Sequence, residues 1–212
     1  TVLAHCLASK NEINVIVAGK TFEPRWLTPT LSREALERGL AIWEFASEPE
    51  PDLVLAAAGD YMTKEVLAAL SIVKEETPGI RLRFVSIMEL NAAGIGNKRS
   101  TVAGNTLEEY FTKDKPVIVN FHGYPQTLKQ MLFDYGGDAE RFSVHGYIEN
   151  GSTTTPFDMQ VRNLTDRYHL AIEVFAKMAE AGRLPAATAA ALCAKYEQHL
   201  RDHHAYICKH GV

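Results

Sequence analysis

The chain has 212 residues, of which 46% are hydrophobic and 23% charged, and a formal net charge of −4 at pH 7. This length is sufficient for one domain with a buried core, and the composition is that of an ordinary globular protein. The slightly acidic balance excludes the strongly basic surface of a typical nucleic-acid-binding protein, and the absence of a run of 18 apolar residues predicts no membrane span.

The cysteines are three in number and widely separated, at Cys6, Cys193 and Cys208. Such usage indicates reduced thiols and a cytoplasmic protein, and no secretion signal is recognisable at the amino terminus. The chain opens on Thr1, without methionine, inside a helical pattern. We therefore expect a domain of a longer polypeptide, with residues 1–12 as the end of a linker from a preceding domain and residues 13–212 as a single α/β domain.

Apolar runs alternate with helical patterns along the chain. Strands are predicted at 13–18, 53–58, 82–88, 117–121 and 142–148, and helices at 31–45, from 63 to the break at 78, from 106, and at 126–135, 157–181 and 186–209. Short apolar strands separated by helices favour a mixed, mostly parallel five-stranded sheet with helices on both faces, that is, a three-layer α/β sandwich. The alternating pattern of 142–148 predicts an edge or antiparallel strand.

A hydroxyl-rich loop precedes one of these helices. Thr155, followed by Pro156 and by Asp158 three positions on, predicts a helix N-cap with proline at the first helical position. Three hydroxyl residues are left unused by this cap: Ser152, Thr153 and Thr154. The loop is either an ordinary solvated turn or a surface that contacts another domain or subunit, where hydroxyls form hydrogen bonds without desolvation of a charge.

Several segments resemble the C-terminal domain of phosphoketolases. They read INVIVAGKTFEPRWLT from Ile13, DLVLAAAGDYMTKEVLAA from Asp52, PVIVNFHGY from Pro116, and HGY followed by GSTTTPFDM from His145. The resemblance covers about residues 1–175 and implies the α/β sandwich of the transketolase C-terminal domain.

The resemblance also implies an activity. Phosphoketolases are lyases, and they split xylulose 5-phosphate or fructose 6-phosphate with inorganic phosphate into acetyl phosphate, an aldose phosphate and water. The GDG motif of thiamine diphosphate enzymes is missing from this sequence, so thiamine diphosphate and Mg²⁺ are expected on domains outside this chain. The full enzyme is expected to be a homodimer, and this chain alone is expected to fold without activity.

Lys20 is the one candidate for contact with substrate. It directly follows the predicted first strand, and the ends of strands in open α/β sheets meet ligands. Its ammonium suits a phosphate dianion, although the local sequence alone favours a solvated loop lysine. The resemblance to the AGK stretch of phosphoketolases implies a phosphate-binding role for Lys20.

Two other functions are weighed against this one. The first is a free-standing, doubly wound regulatory module that binds a small molecule, which requires a complete ligand crevice and a genuine amino terminus that this sequence does not show. The second is the equivalent domain of transketolase, against which the HGY and GSTTTP strings argue. His199 and His203 have the i, i+4 spacing of metal ligands, but the pattern offers no third ligand, and histidines near a helix carboxyl terminus also stabilise its dipole. No metal site is predicted.

Overall fold

The computed structural model describes residues 2–11, 13–90, 104–133, 139–151 and 153–211. Within these residues the strands are β1 (Leu40–Ile42), β2 (Leu53–Ala58), β3 (Leu82–Ile87), β4 (Val117–Phe121) and β5 (Phe142–Gly146). The helices are α1 (Val2–Ala8), α2 (Pro29–Arg38), α3 (Asp60–Glu76), α4 (Gly104–Phe111), α5 (Pro125–Phe133), α6 (Pro156–Arg162), α7 (Arg167–Glu180) and α8 (Ala186–His210). In the part of the chain that is described, every helix is too short or too polar to span a bilayer.

The five strands form one sheet in the order β1-β3-β2-β4-β5. Strands β2 to β5 are parallel, and β1 pairs antiparallel with β3. The central strand β2 is buried along its whole length, as expected for a parallel strand that is covered on both faces. The predicted mixed, mostly parallel sheet is therefore confirmed.

Side chains of β2 alternate between two hydrophobic cores. Leu53 and Leu55 join the core beneath α3, α7 and α8, where Phe84 and Phe175 are fully buried. Val54 points to the opposite face, which α4 and α5 cover with Tyr110, Phe111 and Leu128. Each large apolar side chain that is fully buried contributes roughly 1.5–3 kcal/mol. The alternation along one strand thus produces the predicted three-layer sandwich.

The prediction of a strand at 13–18 is wrong for the sheet of this domain. This segment lies outside the helices and strands, and its apolar side chains are exposed. The fifth strand of the sheet is instead β1, inside the stretch 31–45 that was predicted as a helix. Helix α2 ends because Gly39 adopts the left-handed conformation (φ 68°), and its N–H bonds to Leu36 O. A three-residue strand carries too little pattern to be recognised in the sequence.

Two further boundaries differ from the predictions. Strand β5 lies at the sheet edge as predicted, but it is parallel to β4. The predicted helix 157–181 is two helices, because Leu164 has a positive φ of 57° and Asp166 caps α7 by accepting from the N–H groups of Tyr168 and His169. The helix predicted from 63 begins at Asp60, immediately after β2.

Ion pairs with buried carboxylates join α3 to α7 and the chain after α7 to the sheet. The carboxylate of Glu65 on α3, whose side chain is 2% exposed, accepts two side-chain hydrogen bonds from Arg167 at 2.8 and 2.7 Å. Asp52, just before β2, binds the guanidinium groups of both Arg81 and Arg183. The first pair joins α3 to the start of α7, and both elements pack on the same face of the sheet.

Candidate functional site

The carboxyl ends of β2 and β4 lie side by side, with Ala58 opposite Phe121. From β2 the chain passes through α3 to β3 on one side of β2, whereas β4 and β5 lie on the other side. The gap between β2 and β4 is therefore the topological switch point of the sheet. In open α/β sheets this point is where ligands bind.

Two glycines let the loops at this edge approach one another. Gly59, which precedes α3, has a φ of 111°, and a Cβ atom there would lie 2.6 Å from Cβ of His122. A Cβ atom on Gly146 would lie 2.4 Å from the carbonyl oxygen of Gly123. Any other residue at either position would push the loops apart, since real Cβ contacts are not this short.

Three rings line the edge in a row. The rings of Tyr61 and Tyr147 each lie 5.7 Å from the ring of His122, in an edge-on arrangement. Burial lowers the pKa of His122, although the nearby Asp60 carboxylate opposes this shift. Burial and the Glu149 carboxylate raise the pKa of Tyr147. At pH 7 the edge therefore offers a neutral imidazole and a protonated phenol as hydrogen-bonding groups.

The segment that carries Lys20 is tethered to this edge on both sides of the lysine. The backbone N–H of Gly19 donates to Oδ2 of Asp60 at 3.1 Å, and the hydroxyls of Thr21 and Tyr61 share a hydrogen bond of 2.6 Å. Asp60 and Tyr61 are the first two residues of α3. The structure thus places Lys20 beside the switch point through these tethers, and not through a preceding strand.

Lys20 differs from the neighbouring lysine in its pairing. Lys64 on α3 forms an ion pair of 3.1 Å with Glu23, which lies two residues beyond Thr21 in the tethered segment. Lys20 is exposed and has no hydrogen bond or ion pair with any residue that the structure describes. Its ammonium is available for an anion from outside this part of the chain.

No role was predicted for the residues that hold this segment. In the sequence, Gly59, Asp60 and Tyr61 appear only within the stretch DLVLAAAGDYMTKEVLAA. The signal that could have found them is a carboxylate and a phenol placed directly after a buried strand, at a helix start, where polar side chains reach the carboxyl edge of a parallel sheet.

The hydroxyl loop is partly used inside the domain. Thr155 caps α6 as predicted, because its Oγ1 accepts from the N–H of Asp158 at 3.2 Å. Thr154, which this cap does not use, has a partner of its own, since its hydroxyl donates to Oδ2 of the buried Asp158 at 2.8 Å. Thr153 is exposed and has no hydrogen bond among the described residues, and Ser152 lies outside them.

On α8, the candidate ligand pair His199 and His203 packs against aromatic rings. His199 stacks on Tyr168 at 5.5 Å, and the ring of His203 lies 4.9 Å from that of Phe157. Over the described ranges, no group of three or more histidine, cysteine, aspartate or glutamate side chains is arranged to hold a metal ion. On β5, His145 is paired with Glu173 at 2.5 Å.

A surface depression of about 580 Å³ lies elsewhere, among α6, α7 and α8. Its charged side chains are already engaged: Arg162 with Asp158 at 2.7 Å, and His169 with Asp166 at 2.5 Å. It lacks an unpaired cation of the kind that Lys20 provides at the sheet edge. The carboxyl edge is therefore the stronger candidate site.

Comparison with known proteins gives the family. The family described as XFP C-terminal domain matches residues 20–212. The probable phosphoketolase of Brucella abortus (strain 2308) is 38% identical over 211 residues, which cover 98% of this chain and 26% of that protein. Probable phosphoketolase 2 of Rhizobium meliloti (strain 1021) is 40% identical over 214 residues, which cover 100% of this chain and 27% of that protein.

Among solved structures, transketolase from Leishmania mexicana matches 73% of this chain and 20% of its own, with a TM-score of 0.46 and 13% identity. The chain spans about a quarter of the length of the curated relatives it matches. The match to the family extends over most of the chain, and the two relatives align with almost all of it. The chain therefore belongs to the phosphoketolase C-terminal domain family.

Proposed function

We propose that this chain is the C-terminal part of a phosphoketolase. The complete enzyme is a carbon–carbon lyase that converts a ketose phosphate and inorganic phosphate into acetyl phosphate, an aldose phosphate and water. Support comes from the family match over residues 20–212 and from relatives, named as probable phosphoketolases, that are nearly four times as long as this chain. The substrates are small anions, and the partners are the remaining domains of the same polypeptide in a cytoplasmic homodimer.

Thiamine diphosphate and Mg²⁺ belong, in this proposal, to the remainder of the polypeptide. Mg²⁺ in such sites is held by carboxylates together with the phosphates of the bound molecule. This assignment is supported by the sequence, which lacks the GDG motif of thiamine diphosphate enzymes. The cofactor supplies the electron sink for carbon–carbon cleavage, and this chain supplies binding groups around it.

Within that enzyme, Lys20 binds a phosphate group of the substrates. The observation that carries this role is an exposed ammonium that has no partner among the described residues and is held between two tethers at the switch point of the sheet. A compact ammonium stabilises a phosphate dianion by a charge-assisted hydrogen bond. Fixing the backbone on both sides of Lys20 reduces the conformational entropy that is lost when the anion binds.

Steady-state kinetics of the full-length enzyme test this role with Lys20→Ala, Lys20→Arg and, as a control, Lys209→Ala in the exposed last turn of α8. Loss of one charge-assisted contact is worth roughly 1.5–3 kcal/mol, so Lys20→Ala should raise KM for phosphate or ketose phosphate about tenfold to a hundredfold. Arginine should restore this only partly. Unchanged constants for both substrates in Lys20→Ala would refute the role.

The hydroxyl loop serves as a contact surface for another domain or subunit. Exposed Gly151 and Thr153 support this assignment, and Ser152 belongs to the same loop. Thr154 contributes mainly by holding the buried Asp158, which fixes the end of the loop at α6. Such uncharged polar groups form interface hydrogen bonds at a low cost of desolvation.

A further inference from the structure

An apolar segment without a partner precedes the candidate site. In residues 13–17, the side chains of Ile13, Val15 and Val17 are 97%, 83% and 78% exposed, whereas Ile16 is 44% exposed. β-Branched residues of this kind are enriched in strands, because they pack well on a pleated surface. In this domain their apolar surface is left in water.

The backbone of the segment is also unpaired. None of the peptide groups from Asn14 to Ala18 forms a hydrogen bond with the residues that the structure describes. Both ends are nevertheless held: the Asn14 side chain donates to Ser9 Oγ at 2.6 Å, and the Gly19 N–H donates to Asp60. An exposed apolar run with free N–H and C=O groups is a template for strand pairing and an aggregation hazard unless a partner covers it.

We propose that residues 13–17 form a strand that pairs with a β-sheet in the preceding part of the same phosphoketolase polypeptide. This inference rests on the proposed function only in that it requires the longer chain. Strand addition satisfies the peptide groups that face the neighbouring strand, and the sheet receives alternate side chains in its own pockets. The apolar face of Ile13, Val15 and Val17 then packs in the core of the preceding domain.

The position of the segment selects this partner over others. The C-terminal domain family begins its match at residue 20, whereas the relatives from Brucella abortus and Rhizobium meliloti align over 98% and 100% of this chain. Residues 13–17 thus lie at the border between this domain and the rest of the polypeptide. Covalent connection gives the preceding domain a far higher effective concentration than a second copy in solution.

A paired strand at residues 13–17 shifts the boundary between the two domains. Residues 13–17 would belong to the sheet of the preceding domain, and the C-terminal domain would start after them. Lys20 then lies three positions beyond that strand and between the two tethers to α3, so it stands where the two domains meet. The two bodies together fix the lysine more tightly than either one does alone.

Hydrogen exchange followed by mass spectrometry tests the proposal on the 212-residue chain and on the full-length polypeptide. The amides of residues 14–18 should exchange at nearly random-coil rates in the short chain, and those that face the neighbouring strand should exchange on the order of 100-fold more slowly in the full-length protein. In the full-length protein, Val15→Pro removes a donor and should abolish this protection, whereas Val15→Thr keeps a β-branched residue and should retain it.

Equal, fast exchange in both proteins would overturn the proposal. Protection in the short chain alone, together with concentration-dependent dimers in sedimentation, would assign the segment to a second copy and overturn it as well. The exchange measurement does not depend on activity. Residues 14–18 could exchange slowly in a full-length enzyme in which Lys20→Ala leaves the steady-state constants unchanged. That result would support the paired strand and refute the proposed role of Lys20.

Discussion

The backbone N–H of Gly19 donates a hydrogen bond of 3.1 Å to Oδ2 of Asp60, the first residue of α3. The bond spans 41 positions of sequence and joins the Lys20 segment to the switch point of the sheet. A carboxylate at the start of a helix is also favoured by the helix dipole. Asp60 thus has two structural roles, which a single substitution can separate.

Asp60→Ala should release the segment around Lys20 without unfolding the domain. Loss of an exposed hydrogen bond of about 0.5–1.5 kcal/mol should increase tryptic cleavage after Lys20 roughly threefold to tenfold. Asp60→Asn keeps an acceptor oxygen and should cleave at nearly the wild-type rate. Cleavage after the exposed Arg201 on α8 is the internal control, and equal acceleration at both sites would mean that the variant had lost stability globally.

Replacing only one partner of the Glu65–Arg167 ion pair should strongly lower the free energy of unfolding. Arg167→Met leaves a carboxylate that is 2% exposed without a cation and with only the backbone N–H of residue 167 as a donor, and we expect a loss of roughly 3–5 kcal/mol in the free energy of unfolding. The double variant Glu65→Leu, Arg167→Met removes the buried charge and should recover much of that loss. Urea unfolding of both variants decides the point, and a double variant no more stable than the single one would contradict it.

Buried strands were the easiest elements to predict from the sequence. Predictions at 53–58 and 117–121 coincide with β2 and β4, and the prediction at 82–88 is one residue longer than β3. Residues 53–58 form a continuous apolar run, and the other two runs are mainly apolar with Arg83, Ser86 and Asn120 among them, because helices cover both faces of the sheet. Local composition therefore carries most of the information for these strands.

Pairing between distant segments was not predictable in this way. Residues 13–17 have better strand composition than β1, but β1 pairs with β3, whereas residues 13–17 find no partner strand in the part of the chain that is described. The tethers of Gly19 and Thr21 to α3 likewise connect segments about 40 positions apart. Such contacts depend on the packing of α3 and on the space at Gly59, which no local pattern encodes.

Thr153 and Thr154 form a matched pair for testing the hydroxyl loop. Thr154→Ala removes the donor to the buried Asp158 and should lower the unfolding free energy of this chain by about 1 kcal/mol. Thr153→Ala should leave that free energy unchanged and weaken assembly of the full-length enzyme. Thermal unfolding of the chain and the dimer dissociation constant are the two measurements. Normal assembly of the Thr153→Ala enzyme would remove this residue from the interface.

His122 should titrate below its ordinary pKa of 6.5, because burial disfavours the imidazolium. Asp60→Asn removes the negative charge that favours the imidazolium and should lower the pKa further. The unfolded chain binds the proton more tightly, so this group destabilises the fold as pH falls below about 6.5. The Cε1 proton shift of His122 measures both values by NMR titration, and a pKa above 6.5 would show that the imidazolium is stabilised at this edge.

Asp52 should make the fold sensitive to acid. Burial opposes its ionisation, but hydrogen bonds from Arg81 and Arg183 outweigh that effect and lower the pKa from 3.8 to about 2. Because the folded-state pKa is depressed, this stabilisation is complete above about pH 4 and is lost as pH falls towards 2. The guanidinium groups are about half exposed, so we expect a contribution of roughly 1–2 kcal/mol after screening by solvent. Asp52→Asn should lower the unfolding free energy by that amount at pH 7.

Urea unfolding of the wild type, Asp52→Asn and, as a control, Asp202→Asn at exposed Asp202 would measure the contribution at pH 7, 4, 3 and 2. The difference between the wild type and Asp52→Asn should shrink between pH 4 and pH 2, while the control should follow the wild type throughout. Other carboxylates titrate in the same window in all three proteins and cancel in the difference. A constant difference between the wild type and Asp52→Asn would show that Asp52 stabilises the fold through its hydrogen bonds alone, independently of its charge.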